Sequence, residues 1–250
     1  MIVCKSPREI ELMRRAGSVL KGALNLAREI AKVNVTTSYI DEKLEEYLLA
    51  YDCSPIFKGY RGFPKSICTS INDEIVHGIP NNKTLKSGDI LSIDIGAEYK
   101  KYMADTAITL PIGEITAQSQ KLLDVCENAL NIAIKTIKAN VKLSEVSKSI
   151  QGYVERHGFS VVRDYTGHGI GRKMHEDPQI PNFVSSNMLN NDIILTPGMT
   201  LAIEPMICEG SYETDVLENN WTVVSRDHSL SAHFEHTIAV TENGADVLTK

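Results

Sequence analysis

Two of the chain's seven histidines, His168 and His175, stand in the run Thr166-Gly167-His168-Gly169-Ile170-Gly171-Arg172-Lys173-Met174-His175-Glu176-Asp177-Pro178. Imidazoles at this spacing do not share a helix face, and alternate glycines disfavour a helix. The run reads as an extended or looped segment in which glycine lets backbone approach a ligand closely. Such a segment can present one imidazole to a metal and the other to a substrate. The plainer alternative is a Gly-rich surface loop with two incidental histidines.

Four carboxylates lie elsewhere in apolar runs with β character: Asp94 in Leu91-Ser92-Ile93-Asp94-Ile95, Asp105 before Thr106-Ala107-Ile108, Glu204 after Leu201-Ala202-Ile203, and Glu235 after Phe234. A lone inward carboxylate in such a strand is costly to ionise, and four converging ones repel one another. Two divalent cations would cancel the four charges. Asp94, Asp105, His168, Glu204 and Glu235 then form an oxygen-rich ligand set with one imidazole and no thiolate. That set leans to Mn²⁺, Fe²⁺ or Co²⁺, with Zn²⁺ admissible. Two such metals, roughly 3.5–4 Å apart, lower the pKa of a shared water toward ~7 and allow hydrolysis of amides or phosphoesters. The alternative is four acids facing solvent from half-buried strands.

The elements that must position these groups recur. Asn34-Val35-Thr36-Thr37-Ser38 is echoed by Asn140-Val141-Lys142-Leu143-Ser144, and Ser87-Gly88-Asp89-Ile90-Leu91-Ser92-Ile93-Asp94 by Pro197-Gly198-Met199-Thr200-Leu201-Ala202-Ile203-Glu204. Asp105-Thr106-Ala107-Ile108 matches Glu235-His236-Thr237-Ile238, which pairs Asp94 with Glu204 and Asp105 with Glu235. Each half reads helix, helix, strands. Ser6-Pro7-Arg8-Glu9 is a capping box that starts the first helix. A second helix follows Thr36 with Ile40, Leu44, Leu48 and Tyr51 on one face; Thr116 caps a third, and a fourth follows Ser144. Lys100-Lys101 reads as the tip of a hairpin joining strands that carry Asp94 and Asp105. The expectation is one α+β catalytic domain of two repeated halves, about residues 1–113 and 114–250, with helices backing a curved, mostly antiparallel sheet. The site should lie where the halves meet.

Composition narrows the classes. A net charge of −6 without a basic run offers no nucleic-acid footprint, and no apolar window is long enough to span a membrane. The five cysteines (Cys4, Cys53, Cys68, Cys126, Cys208) are scattered without Cys-x-x-Cys, as suits free thiols in a reducing cytoplasm. No Gly-x-Ser-x-Gly elbow, zincin helix or Walker loop is present.

With these residues assembled, the chain resembles the type I methionine aminopeptidases of the pita-bread metallopeptidase family, over nearly its whole length. The resemblance rests on Tyr60-x-Gly62-Phe63-Pro64-Lys65-Ser66-x-Cys68, Asn72-Asp73-Glu74-x-x-His77-Gly78-Ile79-Pro80, Asp94-Ile95-Gly96, Asp105-Thr106, the Gly167–Pro178 run, Ile203-Glu204-Pro205-Met206 and Glu235-His236-Thr237. It implies a pseudo-twofold pita-bread fold and removal of N-terminal methionine from nascent polypeptides. It also implies that Asp105 and Glu235 bridge two metals, that Asp94 ligates one of them and that His168 with Glu204 ligates the other. Glu204 is implied as the base for the bridging water, His175 as donor to the scissile carbonyl oxygen and His77 as a contact to the substrate amide. The methionine pocket is implied to draw on Tyr60, Phe63, Cys68 and Trp221, with Phe57 and Met174 nearby. Backbone at Asn72 and Ser231 is implied to hold a structural Na⁺ or K⁺. Plainer readings make Trp221 core, His77 a turn cap and Cys68 a small buried residue. His228, His233 and His236 read as structural.

The chain starts at the catalytic region, as in bacterial-type forms without an N-terminal zinc-binding extension. Phe63 and Met174 depart from the residues more usual in the family. A cytoplasmic monomer that meets substrates at the ribosome is expected. Two rival readings share the fold: a Xaa-Pro aminopeptidase, which usually carries an added N-terminal domain, and a non-catalytic binding protein, in which ligand positions are lost.

Overall fold

The computed structural model describes residues 2–250. The helices are α1 (Pro7–Ile30), α2 (Thr37–Ala50), α3 (Ala117–Thr136), α4 (Leu143–Arg156) and the short α5 (Ser186–Asn190). Between α2 and α3 run β1 (Ser54–Pro55), β2 (Ile67–Ile71), β3 (Glu74–Val76), β4 (Ile90–Tyr99) and β5 (Tyr102–Pro111). After α4 come β6 (Ser160–Val161), β7 (Gly167–Gly169) and β8 (Glu176–Ile180), and after α5 come β9 (Thr200–Ile203), β10 (Met206–Cys208) and β11 (Thr214–Val216). The chain closes with β12 (Val223–Ser225), β13 (Ser231–His233), β14 (Glu235–Val240) and β15 (Ala245–Val247).

Local chemistry accounts for most of the boundaries. Ser6 Oγ accepts from the Glu9 N–H and Glu9 Oε2 accepts from the Ser6 N–H at 2.8 Å, so two otherwise unpaired donors of α1 are satisfied reciprocally. Thr36 and Thr116 cap α2 and α3 through their hydroxyls. The fourth helix departs from expectation. It begins at Leu143, and its leading N–H, from Lys142, is taken by Glu145 Oε1 at 3.2 Å, while Ser144 is engaged by Asp192 instead. Tyr51 also departs: it sits past the end of α2 and is exposed, whereas Ile40, Leu44 and Leu48 are buried.

One nine-stranded sheet organises the domain. Its main path is β1-β4-β5-β14-β9-β7-β8, with β2 on β4 and β15 on β14, and every pairing is antiparallel. The β4–β5 hairpin turns on Lys100 and Lys101, whose φ angles of 48° and 71° match the left-handed pair of a tight two-residue turn. Alternation then divides the sheet. Ile93, Ile95, Ala104, Ile108, Leu201, Ile203 and Ile238 point to one face and join the principal core with the buried sides of α1 to α4. The residues between them point the other way, into a concavity whose walls come from the β2–β3 region, the β7–β8 segment and the turn before β12. That concave face, with helices behind it, is the curved α+β arrangement expected. Among the described residues no helix is long and apolar enough to cross a membrane.

Candidate functional site

Sheet register brings the acids together. Asp94 lies opposite Ala107, and Gly96 opposite Asp105, so both aspartates share a face. Glu235 pairs with Ala107 on the other edge of β5. Ala202 lies opposite both Thr237 and His168, which carries the same face across β9 to β7. Glu204 follows two residues after Ala202, and Cys68 lies opposite Asp94. Five candidate ligands from five different strands or strand ends therefore face one cavity of about 230 Å³.

Glycine makes room for this. A side chain at Gly169 would put Cβ 2.1 Å from the Asp177 carbonyl oxygen, and one at Gly167 would put it 2.5 Å from that of Ala202. β7 thus fits between β8 and β9 only without side chains on either side of His168. The first expectation, an extended Gly-His segment, is what the structure contains.

The donor atoms of Asp105, His168 and Glu235 all lie within 4.8 Å of one another, and all three residues are buried. His168 Nδ1 lies 2.8 Å from the Gly169 carbonyl oxygen. That contact fixes the proton on Nδ1 and leaves Nε2 free as a ligand atom. Nε2 is 3.5 Å from Glu204 Oε1. Asp105 Oδ1 accepts from the Thr106 N–H at 3.0 Å, and the Thr237 hydroxyl clamps the Asp105 backbone N–H and C=O, each at 2.8 Å. Asn182 Nδ2 donates to the Glu204 carbonyl at 2.9 Å. Asp94 Oδ1 and Glu235 Oε1 are buried without a hydrogen-bond partner among the described residues. Orphaned carboxylate oxygens beside a ring nitrogen fit a divalent cation, which would satisfy them.

The electrostatics agree. Burial and the neighbouring acids hold Asp94 and Glu235 well above the ordinary carboxylate range, and burial with Asp105 does the same to Glu204. Asp105 is raised to about 7, chiefly by burial. His168 is lowered to about 4 by burial and by His175, which keeps its ring neutral and able to ligate. Burial, Asp94 and Asp105 push the Cys68 thiol up, so it is no thiolate nucleophile.

Around this centre stand the other expected residues. His175 lies with its ring centroid 4.3 Å from that of His168, and its Nδ1 is 2.9 Å from the Tyr60 hydroxyl. His77, lowered to about 4 by burial, takes a left-handed φ of 59° that aims its ring into the cavity, edge-on to Tyr165 and Trp221. Phe57, Phe63, Cys68 and Met174 form a separate small apolar cluster, with Tyr60 and Trp221 packed against it. Phe63 meets the Trp221 ring edge-on at 5.1 Å. Asn72 and Ser231 lie outside the cavity: the Ser231 N–H donates to the Asn72 carbonyl at 2.9 Å.

The structure adds residues not singled out from sequence. Arg61, Val76, Tyr165, Thr166 and Met206 also line the cavity. Tyr165 directly precedes the run that Thr166 opens, Arg61 sits inside the Tyr60–Cys68 motif and Met206 ends the Ile203–Met206 motif, so adjacency was the available signal. His233 is 1% exposed, neither ring nitrogen has a hydrogen-bond partner, and Nε2 lies 3.8 Å from Glu204 Oε2. His233 stands opposite Met206 on the β10–β13 ladder, two residues beyond Glu204, a pairing that the sequence does not show.

Comparison with known proteins follows the geometry. Residues 11–242 match the model for metallopeptidase family M24. The chain is 47% identical to methionine aminopeptidase 1 of Bacillus subtilis over 250 residues, covering all of both proteins. A crystal structure of methionine aminopeptidase from Thermotoga maritima superposes with a TM-score of 0.97 at 45% identity, again covering all of both chains. The prolidase of Pyrococcus furiosus shares the fold, with a TM-score of 0.81 at 22% identity, and this chain covers 99% of itself and 65% of that one.

Proposed function

The chain belongs to metallopeptidase family M24 and, within it, to the bacterial-type type I methionine aminopeptidases, and on that premise we propose the residue roles by which it removes N-terminal methionine. It is a metal-dependent hydrolase of the pita-bread fold. The observation that carries the reading is the meeting of Asp105, His168 and Glu235 donor atoms in a cavity that an apolar cluster of Phe57, Phe63, Cys68 and Met174 also lines.

In this reading Asp94, Asp105, His168, Glu204 and Glu235 hold two divalent ions, Mn²⁺, Fe²⁺ or Co²⁺ being best suited to the oxygen-rich donors and Zn²⁺ compatible. When bound, the ions supply Lewis acidity toward the scissile carbonyl and lower the pKa of water. Carboxylates arriving in pairs, Asp94 with Glu204 and Asp105 with Glu235, suit two repeated halves that share one site. Glu204, at the edge of the cluster, accepts the proton of the attacking water. His175 is oriented by Tyr60 and donates to the carbonyl oxygen as negative charge develops there. His77, kept neutral by burial, contacts the substrate amide. The methionine thioether fits among Phe57, Phe63, Cys68, Met174 and Trp221, where sulfur–ring contacts favour it. Asn72 and Ser231 bring two backbone segments together, a setting suited to a Na⁺ or K⁺ ion.

The substrates proposed are N-termini of nascent chains, met in the cytoplasm near the ribosome by a monomer. All five cysteines are free, which suits that compartment. Metal analysis together with turnover of Met-Ala-Ser and Ala-Pro-Ser peptides tests the activity. Faster cleavage of Ala-Pro-Ser would overturn the methionine assignment and leave the metallohydrolase standing.

A further inference from the structure

Among the residues that line the metal-site cavity, only Arg61 and His175 are exposed. The cavity therefore opens between them. Both also line a second hollow of about 410 Å³ that continues outward from the same opening. Its floor is apolar, with Ile56, Met103 and Met174, and its rim carries Arg61, Arg172 and Lys173.

The rim has little compensating charge. Glu176, the nearest acid in sequence, is already engaged: Oε1 accepts the backbone N–H of Arg172 and of Lys173, and Oε2 pairs with Lys5. Glu9 Oε1 reaches Arg172 only at 4.0 Å and accepts the Tyr102 hydroxyl at 2.6 Å. Arg172 stacks over the Tyr102 ring at 4.7 Å and Arg61 over the Tyr60 ring at 5.4 Å. Stacking holds each guanidinium without neutralising it. Neither Arg61 nor the Lys173 ammonium has a carboxylate partner among the described residues. The chain as a whole is acidic, at −6, so this is a local strip rather than part of a general basic surface.

Resting on the proposed function, we infer that this hollow is a downstream subsite that receives the substrate chain as it leaves the metal centre and favours acidic side chains near its third to fifth residues. The apolar floor suits an extended backbone with small side chains. Each residue advances such a chain by roughly 3.3–3.6 Å, so three or four residues span roughly 10–14 Å, the stretch assigned here to the path past Tyr60 and His175. Peptide is the occupant because the hollow is continuous with the catalytic cavity. Three cations beside a narrow apolar floor are few for a phosphate backbone, which is bound through many contacts.

The test uses the metal-loaded enzyme and three C-terminally amidated peptides, Met-Ala-Ala-Glu-Glu-Ala and its Gln-Gln and Lys-Lys counterparts. At low salt kcat/KM should fall in the order Glu, Gln, Lys, with about five- to ten-fold between the ends, the scale of two or three exposed charge pairs. The ratio should shrink toward one near ~0.5 M salt and be lost or inverted in Lys173→Glu. Equal rates at low salt overturn the subsite and leave the methionine assignment intact. So does a ratio that survives both salt and Lys173→Glu. Cleavage of none of the three, with the acidic peptide still bound most tightly in a fluorescence titration, overturns the function and keeps the subsite. Salt-sensitive binding of a single-stranded RNA that is lost in Lys173→Glu, without any peptide preference, also overturns it.

Discussion

Four buried acids facing one another should make the metal-free protein a poor match to alkaline solution, and the size of that effect can be worked out. Raising the Asp105 carboxyl from 3.8 to about 7 is worth about 4 kcal/mol. The sign follows from proton counting. The native state holds this proton more tightly than the unfolded state, so stability falls as pH rises from 3.8 through about 7. Burial and the neighbouring acids raise Asp94, Glu204 and Glu235 in the same direction, so each adds to the decline. Buried histidines act in the opposite sense. His77 and His168, lowered to about 4, and His233, lowered to about 3, contribute stability above their unfolded value of 6.5 and lose it as pH falls.

Above about pH 6.5 the histidine contribution is flat, and the raised carboxylates set the slope, joined toward pH 8.5 by the raised thiols of Cys53, Cys68, Cys126 and Cys208. Chelated protein should therefore lose about 1 kcal/mol between about pH 6.5 and 8.5 through Asp105, a drop in Tm of roughly 2–4 °C, with Asp94, Glu204 and Glu235 acting in the same direction. Divalent metal should restore about 4 kcal/mol at a thousand times its Kd, with the larger benefit at the higher pH. Asp105→Asn removes one of the opposed charges and keeps an oxygen for the Thr106 N–H. Metal-free Asp105→Asn should melt above metal-free wild type at about pH 8.5 and gain little from metal. Scanning calorimetry with and without chelator is the assay. A flat or rising Tm for chelated wild type across this window, or a metal-free Asp105→Asn that melts lower, would refute the reasoning.

Three further outcomes are expected. His175→Ala should reduce kcat by roughly 10²–10³ with metal content and Tm nearly unchanged, since His175 contacts Tyr60 and the cavity rather than the core; loss of a metal ion by elemental analysis would assign it to the ligands instead. Gly169→Ala forces a Cβ to within 2.1 Å of the Asp177 carbonyl and should destabilise by about 1–3 kcal/mol in urea unfolding, with β7 displaced and metal affinity reduced; wild-type stability would show that β7 and β8 can part freely. Norleucine in place of methionine should remain a substrate, losing about 1–3 kcal/mol at most in kcat/KM, whereas a lysine-first peptide should be rejected because Phe57, Phe63, Met174 and Trp221 offer no counter-charge.

Much of this was legible before any coordinates. Ser6, Thr36 and Thr116 announce helix starts because a short oxygen-bearing side chain ahead of an apolar stripe has few other uses. The pairing of Asp94 with Glu204 and Asp105 with Glu235 came from internal similarity, and the sheet register explains why it pointed to a site: each acid falls on the face opposite core residues of its own strand, such as Ile93, Ala104, Ile203 and Ile238. Where sequence fell short, the missing information was nonlocal. Ser144 resembles a cap, but Asp192 claims both its N–H and its hydroxyl, and nothing near Ser144 in the chain forecasts that partner. His233 read as structural, yet the approach of β10 and β13 sets its ring beside Glu204. The charged rim escaped notice because Arg61 and the Arg172-Lys173 pair are far apart in the chain.

The division of the sheet into an apolar face and an acidic face also governs when the enzyme becomes one. The proposed ligands come from β4, β5, β7, the end of β9 and β14, and β14 must settle between β5 and β9 before Glu235 can face Asp105. Glu235 follows the other four along the chain, so the last acid to be made must still find its place in the sheet. Such nonlocal pairing is slow to form, and a slip of one position would turn Glu235 into the core and His236 toward the metals. Until β14 docks, a growing chain already carries Asp94, Asp105, His168 and Glu204 but lacks the frame that holds them against one another. Completion of the sheet, rather than the presence of any single ligand, marks the moment a new molecule can take up its ions.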